Sequence, residues 1–290
     1  MDQAEQLRNA MNKNKNRNNA RVITVTSGKG GVGKSNVAVN LAVQLSKKGK
    51  RVIIFDADFG LANVEVMFGA IPQYNLSDLI YNNKSITDII TAGPLDIGFI
   101  SGGSGIIGLN NLSKEQISYT IKSMDILNEI ADFVIVDTGA GISNQVLEFV
   151  LASPEVILVT TPEPSSLIDS YSLLKALYKS PEFVASNTTI NVIANKVNSY
   201  DDARMVFDKL NSVVSQFLQG RLEYLGIIPD DSAIERAVRA QKTVSLAEPN
   251  SKSAKAFESI TACLLDPTVE PNITYHGISH IFMNLLKKKK

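Results

Sequence analysis

The chain has 290 residues, 29 acidic and 29 basic for a formal net charge of zero, and 44 % hydrophobic residues. That apolar share can fill the core of one large α/β domain or two small ones, and the charge balance excludes a global electrostatic pull toward nucleic acid. The single cysteine, Cys263, excludes an internal disulfide and suits a reducing cytoplasm; no signal peptide and no apolar run near the ~20 residues of a spanning helix are expected.

In chain order, residues 2–8 read Asp-Gln-Ala-Glu-Gln-Leu-Arg, and residues 12–19 are only Asn, Lys and Arg. A tract without apolar side chains cannot fold, so residues 1–20 read as a short helix-capable peptide on a disordered tether. Val22 to Thr26 is β-branched and apolar, as a buried parallel strand should be. The loop after it, Ser27-Gly28-Lys29-Gly30-Gly31-Val32-Gly33-Lys34-Ser35-Asn36, fits G-x-x-x-x-G-K-[ST] and opens an amphipathic helix that ends at Gly49. Strand, glycine loop and helix in this order let backbone N–H groups and the helix N-terminus converge on phosphate. Lys34 is expected on the β- and γ-phosphates and the Ser35 hydroxyl on Mg²⁺, so the chain is expected to bind a nucleoside triphosphate.

A second strand, 51–56, ends in acids: Asp56-Ala57-Asp58-Phe59-Gly60-Leu61-Ala62-Asn63. Open α/β sheets bind ligands at that end of a strand, although a solvated turn and helix cap is the other reading. Short helices are expected at 76–80 and 86–90 and a strand at 95–101, followed by a glycine-rich loop at 102–111. A helix at 112–130 opens at Ser113, with Glu115 forming part of a capping box. Asp132-Phe133-Val134-Ile135-Val136-Asp137 is the strand whose terminal aspartate holds Mg²⁺ in P-loop folds, and Thr138-Gly139-Ala140-Gly141 after it has the freedom to answer a γ-phosphate. Further strands are expected at 155–160, 190–196 and 223–228. Helices are expected at 166–178 (capped by Ser165), 203–218, 232–240 and 251–264. The expected fold is α/β: a mostly parallel twisted sheet with helices on both faces, as in P-loop nucleoside triphosphatases.

Residues 266–274, with two prolines, read as a linker. Beyond it Ile278, Ile281, Phe282, Leu285 and Leu286 form one helical face, followed by four lysines, 287–290. The stripe suits a last helix docked on the core or an amphipathic helix lying on an anionic membrane; the linker and terminal lysines favour the membrane. The domain reading is therefore 1–20, 21–265 and 266–290.

The string K-G-G-V-G-K-S, with Lys29 early in the loop, resembles the deviant Walker A family of MinD, ParA and nitrogenase iron protein. The resemblance implies an ATPase that dimerises on ATP with Mg²⁺, Lys29 reaching the partner's phosphates as an arginine finger would. It also implies that Asp58 orients the attacking water, Asp56 supports the Mg²⁺ shell, Asn195 reads the adenine edge, and Pro229 with Asp230 forms the base-binding turn. A strand-terminal Asn such as Asn195 serves equally as a turn residue. The lone cysteine departs from the iron–sulfur members, and Asp137-Thr138-Gly139-Ala140-Gly141 departs from the family's D-x-P-A-G. Both D-T-G-A-G and the N-terminal D-Q-A-E-Q-L-R are similar to the FlhG (YlxH) branch. That branch implies stimulation of an FlhF-type signal-recognition GTPase through Gln3, flagellar C-ring proteins as partners, no specific nucleic acid, and a cytoplasmic protein peripherally attached to the inner membrane face. A MinD-type division ATPase, a ParA-type DNA partitioner and a nucleotide-sensing scaffold with negligible turnover are the alternatives.

Overall fold

The computed structural model describes residues 19–59, 63–103, 112–266 and 277–287. The N-terminal segment with Gln3, residues 60–62, most of the 102–111 loop, the linker and the last three lysines lie outside the described residues.

Alternation of apolar residues along the strands decides the layering. β1 (Arg21–Thr26), β2 (Val52–Ala57) and β5 (Phe133–Thr138) each send odd and even positions into separate apolar clusters, so the sheet is buried on both faces. With β3 (Thr91–Ala92), β4 (Gly98–Ser101), β6 (Glu155–Thr160), β7 (Thr189–Val197) and β8 (Glu223–Pro229), the described residues form one eight-stranded sheet of order β3-β4-β2-β5-β1-β6-β7-β8. Pairings are parallel except β3 with β4.

The helices are α1 (Lys34–Lys47), α2 (Asn63–Phe68), α3 (Leu76–Tyr81), α4 (Lys114–Asp125), α5 (Leu127–Ile130) and α6 (Asn144–Ala152). After them come α7 (Pro164–Lys179), α8 (Tyr200–Leu218), α9 (Ser232–Arg239), α10 (Val244–Ala247), α11 (Lys252–Leu264) and α12 (Gly277–Lys287).

Several local expectations are corrected. The edge strand β3 is too short for a period, and residues 94–96 form a 3₁₀ turn with Leu95 and Asp96 left-handed, which shortens the strand expected from 95. Residues 86–90 form a turn, not a helix. The helix expected at 112–130 breaks at Ile126, and Gln116, not Glu115, completes the Ser113 capping box. α7 starts with Pro164, a favoured first helical residue, so Ser165 lies inside it and does not cap it.

The C-terminal stripe takes the docked arrangement. Ile278, Ile281, Phe282, Leu285 and Leu286 are at most 2 % exposed, packed beside β1 and against Phe55 of β2, between α4 and α6. Phe282 meets Phe55 edge-on at 5.3 Å and Phe149 at 6.3 Å. The face expected on a membrane is thus covered here, because this side of the sheet presents an apolar groove that the stripe fills. Each buried side chain contributes about 1.5–3 kcal/mol.

Candidate nucleotide site

Adjacent strands β1 and β5 deliver the phosphate loop and the second acidic motif to one edge of the sheet. Their register sets Val25 opposite Asp137, and that of β2 sets Asp56 opposite the same aspartate. The loop needs its glycines in two places. Gly33 precedes α1 in a left-handed conformation (φ 92°), and a Cβ at Gly28 would collide with the Asp169 backbone.

Lys34 is buried at the head of α1, its Nζ 2.7 Å from Asp137 Oδ1. The other Asp137 oxygen, Oδ2, is buried without a hydrogen-bond partner among the described residues. Beside it, Asp56 accepts the backbone N–H groups of Asp58 (3.1 Å) and Val64 (3.4 Å). Burial, reinforced by the Asp137 charge, still pushes its carboxyl up to about 7. Asp58, half-buried, is also raised, first by burial, and its Oδ2 accepts from Asn63 Nδ2 at 3.2 Å. An orphaned buried carboxylate oxygen and a second crowded acid fit a hard divalent cation, as does the Ser35 hydroxyl, also buried at this edge. Ser35, Asp56 and Asp137 are thus the residues that would hold Mg²⁺.

A second region, about 400 Å³, adjoins the loop at Gly31, Gly33 and Asn36 and is lined by Asn195, Pro229 and Asp230. Its far wall, missed by the sequence reading, is α9 with Ile234, Val238 and Arg239. The alternation of α9 gave no sign of which face would meet a ligand. Asn195 serves the loop as well as the pocket: its Nδ2 donates to the Val32 carbonyl at 2.7 Å and its Oδ1 accepts from the Lys196 N–H at 2.9 Å. Lys196, left-handed at φ 56°, donates from Nζ to the Gly31 carbonyl at 3.0 Å. The end of β7 therefore braces the phosphate loop.

Lys29 departs from the other loop residues. Its ammonium turns outward to Glu163 Oε2 (2.9 Å) and Ser165 Oγ (2.8 Å), and the lysine holds the Glu163 carboxyl below the usual range. The 138–141 loop is tied in by the Gly141 N–H donating to the Ser27 carbonyl at 2.9 Å. Gln145 Nε2 donates to the Ala57 carbonyl at 3.3 Å, linking the two acidic segments. Asn63 and Gln145 were not singled out in the sequence; Asn63 meets Asp58 five residues away, whereas Gln145 and Ala57 become neighbours only when β2 and β5 pair. No helix among the described residues is long and apolar enough to cross a membrane.

Comparison with known proteins gives the site its context. Residues 18–265 match the ParA family model, described as NUBPL iron-transfer P-loop NTPase. The chain is 40 % identical over 239 residues to antiactivator FleN of Pseudomonas aeruginosa, covering 82 % of this chain and 84 % of that protein. It is 34 % identical over 296 residues to the flagellum site-determining protein YlxH of Helicobacter pylori, covering 99 % and 98 %. Among solved structures, the cell division ATPase MinD of Pyrococcus furiosus superposes with a TM-score of 0.65 at 25 % identity, covering 84 % of this chain and 98 % of that one.

Proposed function

This chain belongs to the ParA/MinD family of P-loop ATPases, and we propose that it is an ATP-gated homodimer that regulates the placement or number of flagella. In this reading it binds the membrane through α12 and stimulates an FlhF-type GTPase through residues 2–8. The observation that carries the dimer is the orientation of Lys29. Lys34 already occupies the phosphate side, paired with Asp137, whereas Lys29 stands at the surface, held by exposed contacts with Glu163 and Ser165. A second copy facing this edge would accept that ammonium on its phosphates, placing positive charge where it develops during transfer.

Within each site, Gly28 to Asn36 cradle the phosphates and Asp58, steadied by Asn63, orients the attacking water. Asn195, Pro229 and Asp230 receive the base. Ser35, Asp56 and Asp137 would hold Mg²⁺, which would supply charge neutralisation for the phosphates.

Because the apolar face of α12 is covered in this arrangement, membrane residence requires its release. One released helix binds weakly, at about 1 kcal/mol for each lysine near an anionic leaflet. Two on one dimer bind well, since the second insertion is intramolecular. ATP thereby sets membrane residence through dimerisation, and the flagellar name of the 34 % identical relative supports the target.

The test of the partner arm is Gln3→Ala in a GTPase assay with an FlhF-type partner. We expect loss of stimulation with ATP turnover unchanged; unaltered stimulation would remove Gln3 from the mechanism. The 40 % identical relative is named an antiactivator, which favours a second reading in which the same dimer restrains an activator protein. Gln3→Ala would leave that activity intact.

A further inference from the structure

The two ends of the described chain meet at one corner of the fold, on residues that the nucleotide site does not use. Asn128 in α5 accepts the Ala20 N–H on Oδ1 at 3.2 Å and donates from Nδ2 to Asp125 Oδ1 at 2.9 Å. That same Asp125 oxygen accepts the hydroxyl of Ser279, in the first turn of α12, at 3.0 Å. Gly277 opens α12 in a left-handed conformation (φ 73°) against the Asn128 amide, where a Cβ would press on that side chain. The Ala20 methyl, 1 % exposed, belongs to the same apolar cluster as Ile278, Ile281 and Phe282. One asparagine and one aspartate thus fasten both the point where the N-terminal segment enters the fold and the point where the C-terminal helix begins.

We propose that this corner is a shared latch: release of α12 also releases the chain at Ala20, so the anchor of the N-terminal segment and the C-terminal helix loosen in one event. While α12 is docked, the Ser279 hydroxyl fixes Asp125, Asp125 fixes the Asn128 amide, and Asn128 holds Ala20 to α5 at the entry to β1. When α12 leaves, Asp125 loses one donor and Ala20 loses its apolar cover together, so the Asn128–Ala20 bond is opened to water and competes poorly. Linkage makes the effect reciprocal: whatever pulls the N-terminal segment away from Asn128 favours undocking by the same factor.

Its biological meaning rests on the reading above, that residues 2–8 act on a GTPase and α12 on a membrane. Undocking of α12 would then be coupled to the anchorage of the segment that carries residues 2–8. The latch itself is measurable without partner or lipid.

The experiment is residue-resolved amide exchange on the full chain with ADP, comparing the parent with Phe282→Asp and Asn128→Ala. Phe282→Asp, which expels α12, is expected to speed exchange of the Ala20 amide about tenfold while residues 22–26 stay unchanged. Asn128→Ala is expected to speed exchange of residues 281–286 about fivefold, the effect of losing one hydrogen-bonded anchor. An Ala20 amide that exchanges as in the parent, in Phe282→Asp protein whose α12 amides have lost protection, overturns the proposal. Should Phe282→Asp fail to fold, Ser279→Ala reads the same link: α12 loosened with Ala20 unmoved overturns it, and both loosened supports it. Coupled exchange in a protein that does not stimulate a GTPase supports the latch and removes only the partner reading.

Discussion

The phosphate edge of the sheet and the groove under α12 are both buried, but they are held by opposite kinds of force. At the phosphate edge Lys34, Asp56 and Asp137 are charges or potential charges withdrawn from water, one of them with an oxygen left without a partner. Such a centre is costly to the fold and becomes satisfied when phosphate and metal arrive. Under α12 the contacts are aliphatic and aromatic, and they are complete without any ligand. The first region is built to need something from outside; the second is a closed contact that something from outside must open.

Substitutions should separate the two. The largest effect is expected from Lys34→Ala, which removes the phosphate clamp and orphans Asp137 entirely. ATP turnover should fall about 10²–10³-fold, measured by phosphate release, while α12 stays protected from amide exchange. Loss of α12 protection in that variant would show that the regions are not separable.

Phe282→Ala should do the reverse. Truncating a fully buried phenylalanine costs about 3–5 kcal/mol. The global loss is capped at the docking free energy of α12, because beyond that point the helix simply leaves. Vesicle co-sedimentation with ADP should therefore rise while Lys34-dependent nucleotide binding persists. Unchanged sedimentation would mean that the groove does not restrain the helix.

A smaller effect concerns pH. Asp56 holds its proton up to about 7 in the fold, against 3.8 as the ordinary value. The folded chain therefore binds more protons than the unfolded chain between these limits, and its stability without metal should fall as pH rises from about 4 to about 7. The loss is at most about 4 kcal/mol across that window. Denaturant unfolding at pH 5 and pH 8 measures it, and Asp56→Asn should flatten the difference. An equal slope in that variant would place the titration elsewhere.

The difference between the regions also explains what could be read in advance. The strand, glycine loop and helix around Lys34 form one contiguous motif with local geometry, and Asp56 and Asp137 are marked by standing at the ends of apolar strands. The structure brings these groups together because parallel neighbours end at the same edge. The α9 wall of the pocket beside the loop and the ties from Gln145 and Lys196 depend on which strands become neighbours, and that information is spread over the whole chain. The stripe on α12 was legible as a stripe. Its periodicity states that one face seeks an apolar surface, but a groove of Phe55, Phe149 and their neighbours satisfies that demand as well as a bilayer does. The shared fastening of Ala20 and Ser279 through Asn128 and Asp125 has no local signature at all.

The central claim is that ATP joins two copies and that this frees the covered helix. Its most direct test is molar mass by light scattering on Asp58→Ala protein, with hydrolysis slowed, first with ADP and then with ATP, and anionic vesicles sedimented from the same samples. The account predicts a monomer that stays in solution with ADP and a dimer that sediments with ATP. A monomer under both conditions would leave the nucleotide site standing but remove the dimer, and with it the role given to Lys29.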